Sequence, residues 1–355
     1  MAEISIIIPV YNVKDYIEKC LDSVRMQDFS DFECIIVDDG SFDGSENICD
    51  RYAEIDNRVK VIHKKNAGVS AARNTGLSAA NGKYITFCDG DDYYTQGWLQ
   101  TLYHGLVDVN ADFATSGYLY VSELGETLMT FKRKIGIWQI KSEDDLNQYL
   151  FKNILYDGNG WEVWSCLFRR DIIAQNHISF NENCGNYAED LGFVLAYALY
   201  AKRFTGLAGT GYCYVKRGNS MIDRSVNRIK LNSVNTVSED FGIRYLKESA
   251  DEKKSENIKV LHFLIMHLEC KRLLNTEQYT KIKQLPKEYL KIENQIWNKR
   301  NTEGFSINSE AYLHIIGSGY NRLNIDAEYM VDLNPRRYFF QRWSMKWRHY
   351  LTKFG

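Results

Sequence analysis

Three carboxylates fall within four residues at Asp89-Gly90-Asp91-Asp92, one residue (Cys88) after the run Tyr84-Ile85-Thr86-Phe87. That run, aromatic then β-branched then aromatic, predicts a short buried strand, and Gly90 lets the chain turn at its end. A carboxylate cluster at a strand end suits a hard divalent cation. Mg²⁺ or Mn²⁺ takes oxygen ligands, often only one or two carboxylates, and leaves room for phosphate oxygens. The same residues also describe a solvated acidic turn, and the cluster alone does not choose between the two. A second acidic pair, Glu189-Asp190, opens a segment whose inner face includes Leu191, Val194, Leu195 and Ala198. The helix dipole favours acids in a first turn, so an N-terminal cap is the first reading of that pair. Trp161 and Trp164 stand three apart beside Gly158 and Gly160. They offer either a flat apolar surface for a sugar ring or two core side chains.

The surrounding segments must position these groups. Ile4–Val10 is a β-branched run typical of a strand buried on both faces, and Pro9 ends its ladder before Tyr11-Asn12. Residues 13–28 place Ile17, Cys20, Leu21 and Val24 on one helical face. A second apolar run, residues 34–37, ends in Asp38-Asp39-Gly40-Ser41, and an amphipathic segment follows with Ile48, Cys49, Tyr52 and Ala53 inside. A third strand, Val59–His63, leads into the small-residue helix start at 66–74, and the fourth strand carries the acidic cluster. Such alternation predicts right-handed crossovers and an α/β fold with a mainly parallel sheet. Ligands of such sheets sit at the carboxyl ends of the strands, where Tyr11-Asn12, Asp38–Ser41 and Asp89–Asp92 fall. A nucleotide site is therefore expected there. It is not a dinucleotide site, because no G-x-G-x-x-G follows the first strand and no Walker lysine loop occurs. Phosphate has to be held by a metal and by cationic side chains. Further on, Phe113–Val121 and residues 212–215 read as strands, the latter followed by the polar loop Lys216-Arg217-Gly218-Asn219-Ser220. From about Ser225 the character turns helical, with Ile258, Leu261, Leu264, Ile265 and Leu268 on one face.

Composition narrows the function classes. At 355 residues and 45% hydrophobic, the chain can bury one large core and a second smaller unit. A net charge of -2 carries no overall nucleic-acid footprint. The eight Cys include no C-x-x-C pair, which argues against zinc and a disulfide framework and points to a reducing cytoplasm. No 18-residue apolar run occurs, and the Ile4–Val10 run is too short and too early for a signal peptide. With three Pro and no Ser/Gly-rich linker, the units are expected to pack tightly. From Arg336 onward there are six Lys/Arg and no Asp/Glu. On a helix, Phe340, Trp343, Trp347, Tyr350 and Phe354 form an aromatic stripe beside Arg342, Lys346, His349 and Lys353. That pattern describes a peripheral membrane helix, or equally one docked on its own domain or on a second subunit of a homo-oligomer.

Five stretches together resemble glycosyltransferase family 2. They are residues 5–12 (SIIIPVYN), 37–41 (VDDGS), 68–74 (GVSAARN), 89–92 (DGDD) and Glu189-Asp190. The resemblance covers roughly residues 1–225 and is closest to bacterial enzymes of capsule, exopolysaccharide or teichoic-acid synthesis. It implies a GT-A fold over 1–225; the helical pattern beyond it, which matches no motif of the family, predicts a separate C-terminal domain with its basic aromatic tail over 226–355. The resemblance implies an inverting, metal-dependent hexosyltransferase that moves a sugar from a UDP-sugar to a glycan or lipid-linked acceptor, in the cytoplasm or on the inner face of the membrane. Residue by residue, Pro9, Val10 and Tyr11 would contact uridine, and Asp39 would accept from the uracil ring. Arg73 would lie near the nucleotide and its phosphates, Asp89 would hold the ribose, and Asp91 would hold Mn²⁺ or Mg²⁺. Asp92 would support the loop, Asp190 would be the catalytic base with Glu189 orienting it, and Arg217 would fold over the diphosphate. The rings of Trp161 and Trp164, by their chemistry rather than by the resemblance, would serve the acceptor sugar or else pack in the core. One departure lies there: relatives often carry Trp-Asn-Lys where this chain has Trp164-Ser165-Cys166. Two alternatives make different demands. A sugar-nucleotide pyrophosphorylase needs a Gly-rich basic loop after the first strand, which Val10-Tyr11-Asn12-Val13 lacks. A non-catalytic nucleotide-sugar-binding assembly subunit has no need of Asp91 and Asp190.

Overall fold

A computed structural model describes residues 2–142, 145–146, 149–156, 160–184 and 188–217, with six positions between 233 and 244. Apart from those six positions, the boundary expected near 225, the helical domain over 226–355 and the basic aromatic tail lie outside the described residues.

The first half alternates as its residue pattern dictates. β1 (Ile4–Val10), β2 (Phe32–Asp38), β3 (Val59–His63) and β4 (Tyr84–Phe87) are parallel neighbours in the order β3-β2-β1-β4. All residues of β1, β2 and β4 are buried, as continuous apolar runs require. α1 (Lys14–Arg25) buries Ile17, Cys20, Leu21 and Val24, the face its spacing predicts. α2 (Ser45–Ile55) turns Cys49 and Tyr52 inward, with Ile48 and Ala53 only partly covered. α3 (Val69–Ala79) lies close on β1 because its inner face is small: a Cβ at Gly76 would run into Ile7.

The second half departs from a mainly parallel sheet. After α4 (Trp98–Val107) come β6 (Phe113–Val121), β9 (Cys166–Arg169) and the long β10 (Arg203–Val215). β9 enters antiparallel between β4 and β6, while β10 runs parallel to β6. The short β5 (Tyr93–Tyr94) and β8 (Gly136–Gln139) pair antiparallel with β10, and β7 (Thr127–Phe131) pairs with β6. The result is one mixed ten-stranded sheet. α5 (Arg170–Gln175) and α6 (Glu189–Ala198) follow β9. β2 lies on one side of β1 and β4 on the other, so chain direction through the sheet reverses there. A crevice is expected outside the carboxyl ends of β1 and β4, where Tyr11 and Asp89 emerge. Among the described residues no helix is long and apolar enough to cross a membrane.

Candidate active site

The carboxyl ends of β1 and β2 are laced together by short polar side chains. The Asn12 amide N–H donates to Ser41 Oγ (3.1 Å), and Asn12 Oδ1 accepts from the Phe42 N–H (3.0 Å). Asp38 is held by the Ser41 N–H (2.9 Å) and by His63 Nδ1 (2.9 Å), whose Nε2 meets Asp50 (2.9 Å). Hydrogen bonds to these two acids raise the His63 pKa despite some burial. Pro9 and Val10 are buried, so of the three uridine candidates at this strand end only Tyr11 projects, 47% exposed. Phe42, which the sequence reading did not single out, stands edge-on to it with ring centroids 6.3 Å apart. Asp39 is buried and takes the N–H groups of Ala67 (3.0 Å) and Gly68 (2.7 Å), together with Lys64 Nζ (2.7 Å). It pins the loop that opens α3, and Lys64 was not anticipated.

The β4 loop is fastened from below. The Asp92 carboxylate is buried and accepts from Tyr212 Oη (2.7 Å) and the Val215 N–H (2.8 Å). Burial, with Asp89 adding to it, pushes the Asp92 pKa well up. The Asp89 N–H donates to the same Tyr212 oxygen (3.2 Å). Gly90 is required by close approach: a Cβ there would lie 3.1 Å from the Pro9 carbonyl. Asp91 stays partly open and is ion-paired with Arg217, whose guanidinium lies 5.0 Å over the Tyr16 ring. The two residues expected to share the diphosphate and its metal thus sit together.

The deepest feature is Arg73. Its side chain is 3% exposed, yet it reaches three acids. Nη1 donates to Asp190 Oδ1 (2.6 Å) and Glu189 Oε1 (3.0 Å), and Nη2 donates to Asp89 Oδ1 (2.8 Å). Glu189 and Asp190 occupy the first turn of α6, and no side-chain capping hydrogen bond forms there. Their carboxylates turn toward Arg73 instead, so the capping reading does not describe their side chains. Burial drives the Asp190 pKa well above the usual carboxylate range; Arg73 opposes this, while Glu189, Asp89 and Glu162 add to it. A carboxylate tuned upward beside a cleft is what a general base near neutral pH requires.

Trp164 is buried and stacks on Tyr212 at 4.2 Å, edge-on to Tyr118. It walls the site from within, which is the core reading of the pair. Trp161 is partly buried, and its indole N–H meets the Ile154 carbonyl. Between them Glu162 accepts from Arg133 and from Tyr118 Oη (3.3 Å). Glu162 was legible as the one acid within the Trp161–Trp164 stretch. Arg133 was not, because nothing in spacing ties the β7–β8 connection to residue 162.

No cluster of three or more His, Cys, Asp or Glu suited to a metal occurs among the described residues. The donor chemistry still fits a Mg²⁺- or Mn²⁺-type ion. Asp91 is a partly open carboxylate that already attracts a cation, Arg217, and such ions keep several water and phosphate ligands.

The description "glycosyl transferase family 2" matches residues 5–174. An uncharacterized glycosyltransferase, EpsJ of Bacillus subtilis, is 35% identical over 220 residues, 62% of this chain and 63% of that protein. A cholesterol galactosyltransferase of Borreliella burgdorferi is 30% identical over 254 residues, 68% of this chain and 69% of that protein. The chain spans less than two thirds of the length of the first curated relatives it matches. Among solved structures, S. aureus TarS 1–349 in complex with UDP-GlcNAc superposes with a TM-score of 0.63 at 21% identity, over 83% of this chain and 80% of that one. That likeness shows a shared GT-A fold.

Proposed function

The chain belongs to glycosyltransferase family 2, and from that premise we propose that it is an inverting UDP-sugar-dependent hexosyltransferase acting on a glycan or lipid-linked saccharide of a bacterial surface polysaccharide. The observation that carries this reading is the meeting of Asp89, at the end of β4, with Asp190, at the start of α6, through Arg73. It brings a donor-side acid and a base with a raised pKa to one carboxyl edge. The exposed ring of Tyr11, with Phe42 beside it, faces the uracil, and Asp39 shapes the pocket floor through the 64–68 loop. Asp89 takes a ribose hydroxyl. Asp91 would hold Mn²⁺ or Mg²⁺, which when bound offsets the charge of the diphosphate. Arg217 turns from Asp91 to the phosphates. An acceptor hydroxyl attacks the anomeric carbon, its proton passes to Asp190, and the bond to the diphosphate oxygen breaks on the opposite face. One base suffices for this displacement, and no covalent nucleophile is needed.

Residues 1–225 form the transferase unit in this reading. The tail at 336–355 lays the protein on the inner membrane face, beside a lipid-linked acceptor. A thermal-unfolding screen of UDP-sugars with MnCl₂, followed by assay of released UDP, tests the proposal. Protection by one UDP-sugar together with UDP release supports it. Protection without release, whatever the acceptor, would instead describe an assembly subunit that binds nucleotide-sugar.

A further inference from the structure

We propose that Arg73 is the positioning residue of the base: its guanidinium aims Asp190 and ties it to the donor-side Asp89, and it does not grip the donor phosphates. The proposal rests on the transferase reading above and assigns Arg73 a role other than the one its motif implies.

Four observations support it. Arg73 is buried, and its hydrogen-bonding edge is already occupied. Both N–H groups of Nη1 go to Asp190 and Glu189, and Nη2 goes to Asp89, all within 3.0 Å. Nε is buried in protein as well, with no hydrogen-bond partner among the described residues. A phosphate entering this shell would compete with three carboxylates already bonded to it.

Arg73 also cannot retreat to make room. It lies on the small-residue face of α3, which Gly76 and Ile7 hold hard against β1, and the Phe180 ring closes its flank at 5.2 Å. The hydrogen bonds span three elements that are distant in sequence, namely α3, the end of β4 and the start of α6. Any shift of Asp89 on donor binding is therefore felt at the base through one rigid fork.

Charge points the same way. The groups acting on Asp190 are Arg73 from α3, Glu189 from its own helix, Asp89 from β4, and Glu162, itself paired with Arg133, from the segment before β9. Three of these are acids, and burial acts with them. Arg73 is the one cation among these groups, and it favours the ionised, proton-accepting form of Asp190 against them.

Two measurements on the full chain test this, each comparing wild type with Arg73→Lys and Arg73→Gln. The first is calorimetric titration of UDP with MnCl₂ present. The second is the pH dependence of UDP release from UDP-glucose, UDP-galactose or UDP-N-acetylglucosamine, with water as acceptor. UDP affinity of Arg73→Lys should stay within about threefold of wild type, while its turnover at neutral pH falls ~10–100-fold. The limb on which rate rises with pH should move up by about one pH unit or more in Arg73→Gln, and by less in Arg73→Lys, which keeps the charge. A loss of UDP affinity of about tenfold or more in Arg73→Lys, with the limb unmoved, overturns the proposal and returns Arg73 to the donor. If Arg73→Gln does not fold, Arg73→Lys supplies both readouts. A wild type that binds UDP but releases none from any UDP-sugar, with water or with glycan and lipid-linked saccharide acceptors, contradicts the transferase reading instead. In that event the titration alone decides on Arg73, unchanged affinity supporting the role and a tenfold loss refuting it.

Discussion

Two carboxylate clusters, one around the buried Glu33 and one around the buried Arg73, sit at opposite ends of the parallel strands, and their charge balance differs. At the amino end, Glu33 on β2 receives Ser5 Oγ (2.8 Å), the N–H groups of Asn81 (2.7 Å) and Gly82 (3.1 Å), and Lys60 Nζ (2.8 Å). One acid faces one cation and three neutral donors. Burial works to raise its pKa, but the Lys60 bond and the Asn81 and Ser5 bonds prevail and bring it down to about 2. At the carboxyl end, Arg73 faces Asp89, Glu189 and Asp190, and burial wins, so Asp190 rises. The first cluster is saturated and stabilises the fold. The second is left short of positive charge, which suits a site awaiting a cation and a reacting sugar.

If that contrast is right, substitutions at the two ends should fail in different ways. Asp190→Asn is nearly isosteric but cannot take a proton. Turnover should fall ~10²–10⁴-fold while UDP affinity and melting temperature hold, since one excess acid has been removed. Turnover within a few-fold of wild type would move the base elsewhere, and unfolding would make this end structural too. In the wild type, activity should climb with pH through a midpoint above the ordinary carboxylate range, because the group that must be ionised has a raised pKa. Glu33→Gln should do the reverse: activity per folded molecule is kept, and stability drops by roughly 3 kcal/mol at neutral pH. Because the folded pKa is the depressed one, Glu33 contributes fully above about 4.5 and loses that contribution as pH falls toward about 2. Chemical denaturation of both proteins across that window should show their stabilities converging as acid is added. A difference independent of pH would mean that packing, not charge, sets the Glu33 effect.

How far these clusters were legible depends on sequence distance. Runs buried on both faces could be read directly: the bounds of β1, β3, β4 and β6 and the inner face of α1 agree with the residue pattern. The motif order marked the carboxyl edge, and with it Tyr11, Asp89, Asp91 and Asp190. Periodicity could not reveal that β9 slots in antiparallel beside β4, because strand order is set by long-range packing. Nor could it show Arg73 meeting partners 116 and 117 residues away. β7 is exposed along its whole length and so carries no inward stripe to read. Glu33 escaped notice for the opposite reason: a single acid inside an apolar strand looks like noise until Ser5, Lys60 and Asn81 surround it.

Smaller effects sharpen the carboxyl end itself. Asp91→Asn should cost about tenfold or more in UDP affinity when Mn²⁺ is present and little in its absence, as calorimetric titration under both conditions would show. Equal losses would place the metal elsewhere. Asp39→Ala, which frees Lys64 and the 67–68 loop, should weaken UDP binding roughly several-fold without altering the metal requirement.

The most direct test of a single displacement assisted by one base is the anomeric configuration of freshly formed product. Proton NMR of the transfer reaction, run with the UDP-sugar that protects the protein, reads it before mutarotation or further reaction intervenes. Net inversion relative to the donor is predicted. Net retention would contradict the account, since it requires either a second displacement or a nucleophile that Asp190 and its neighbours do not supply.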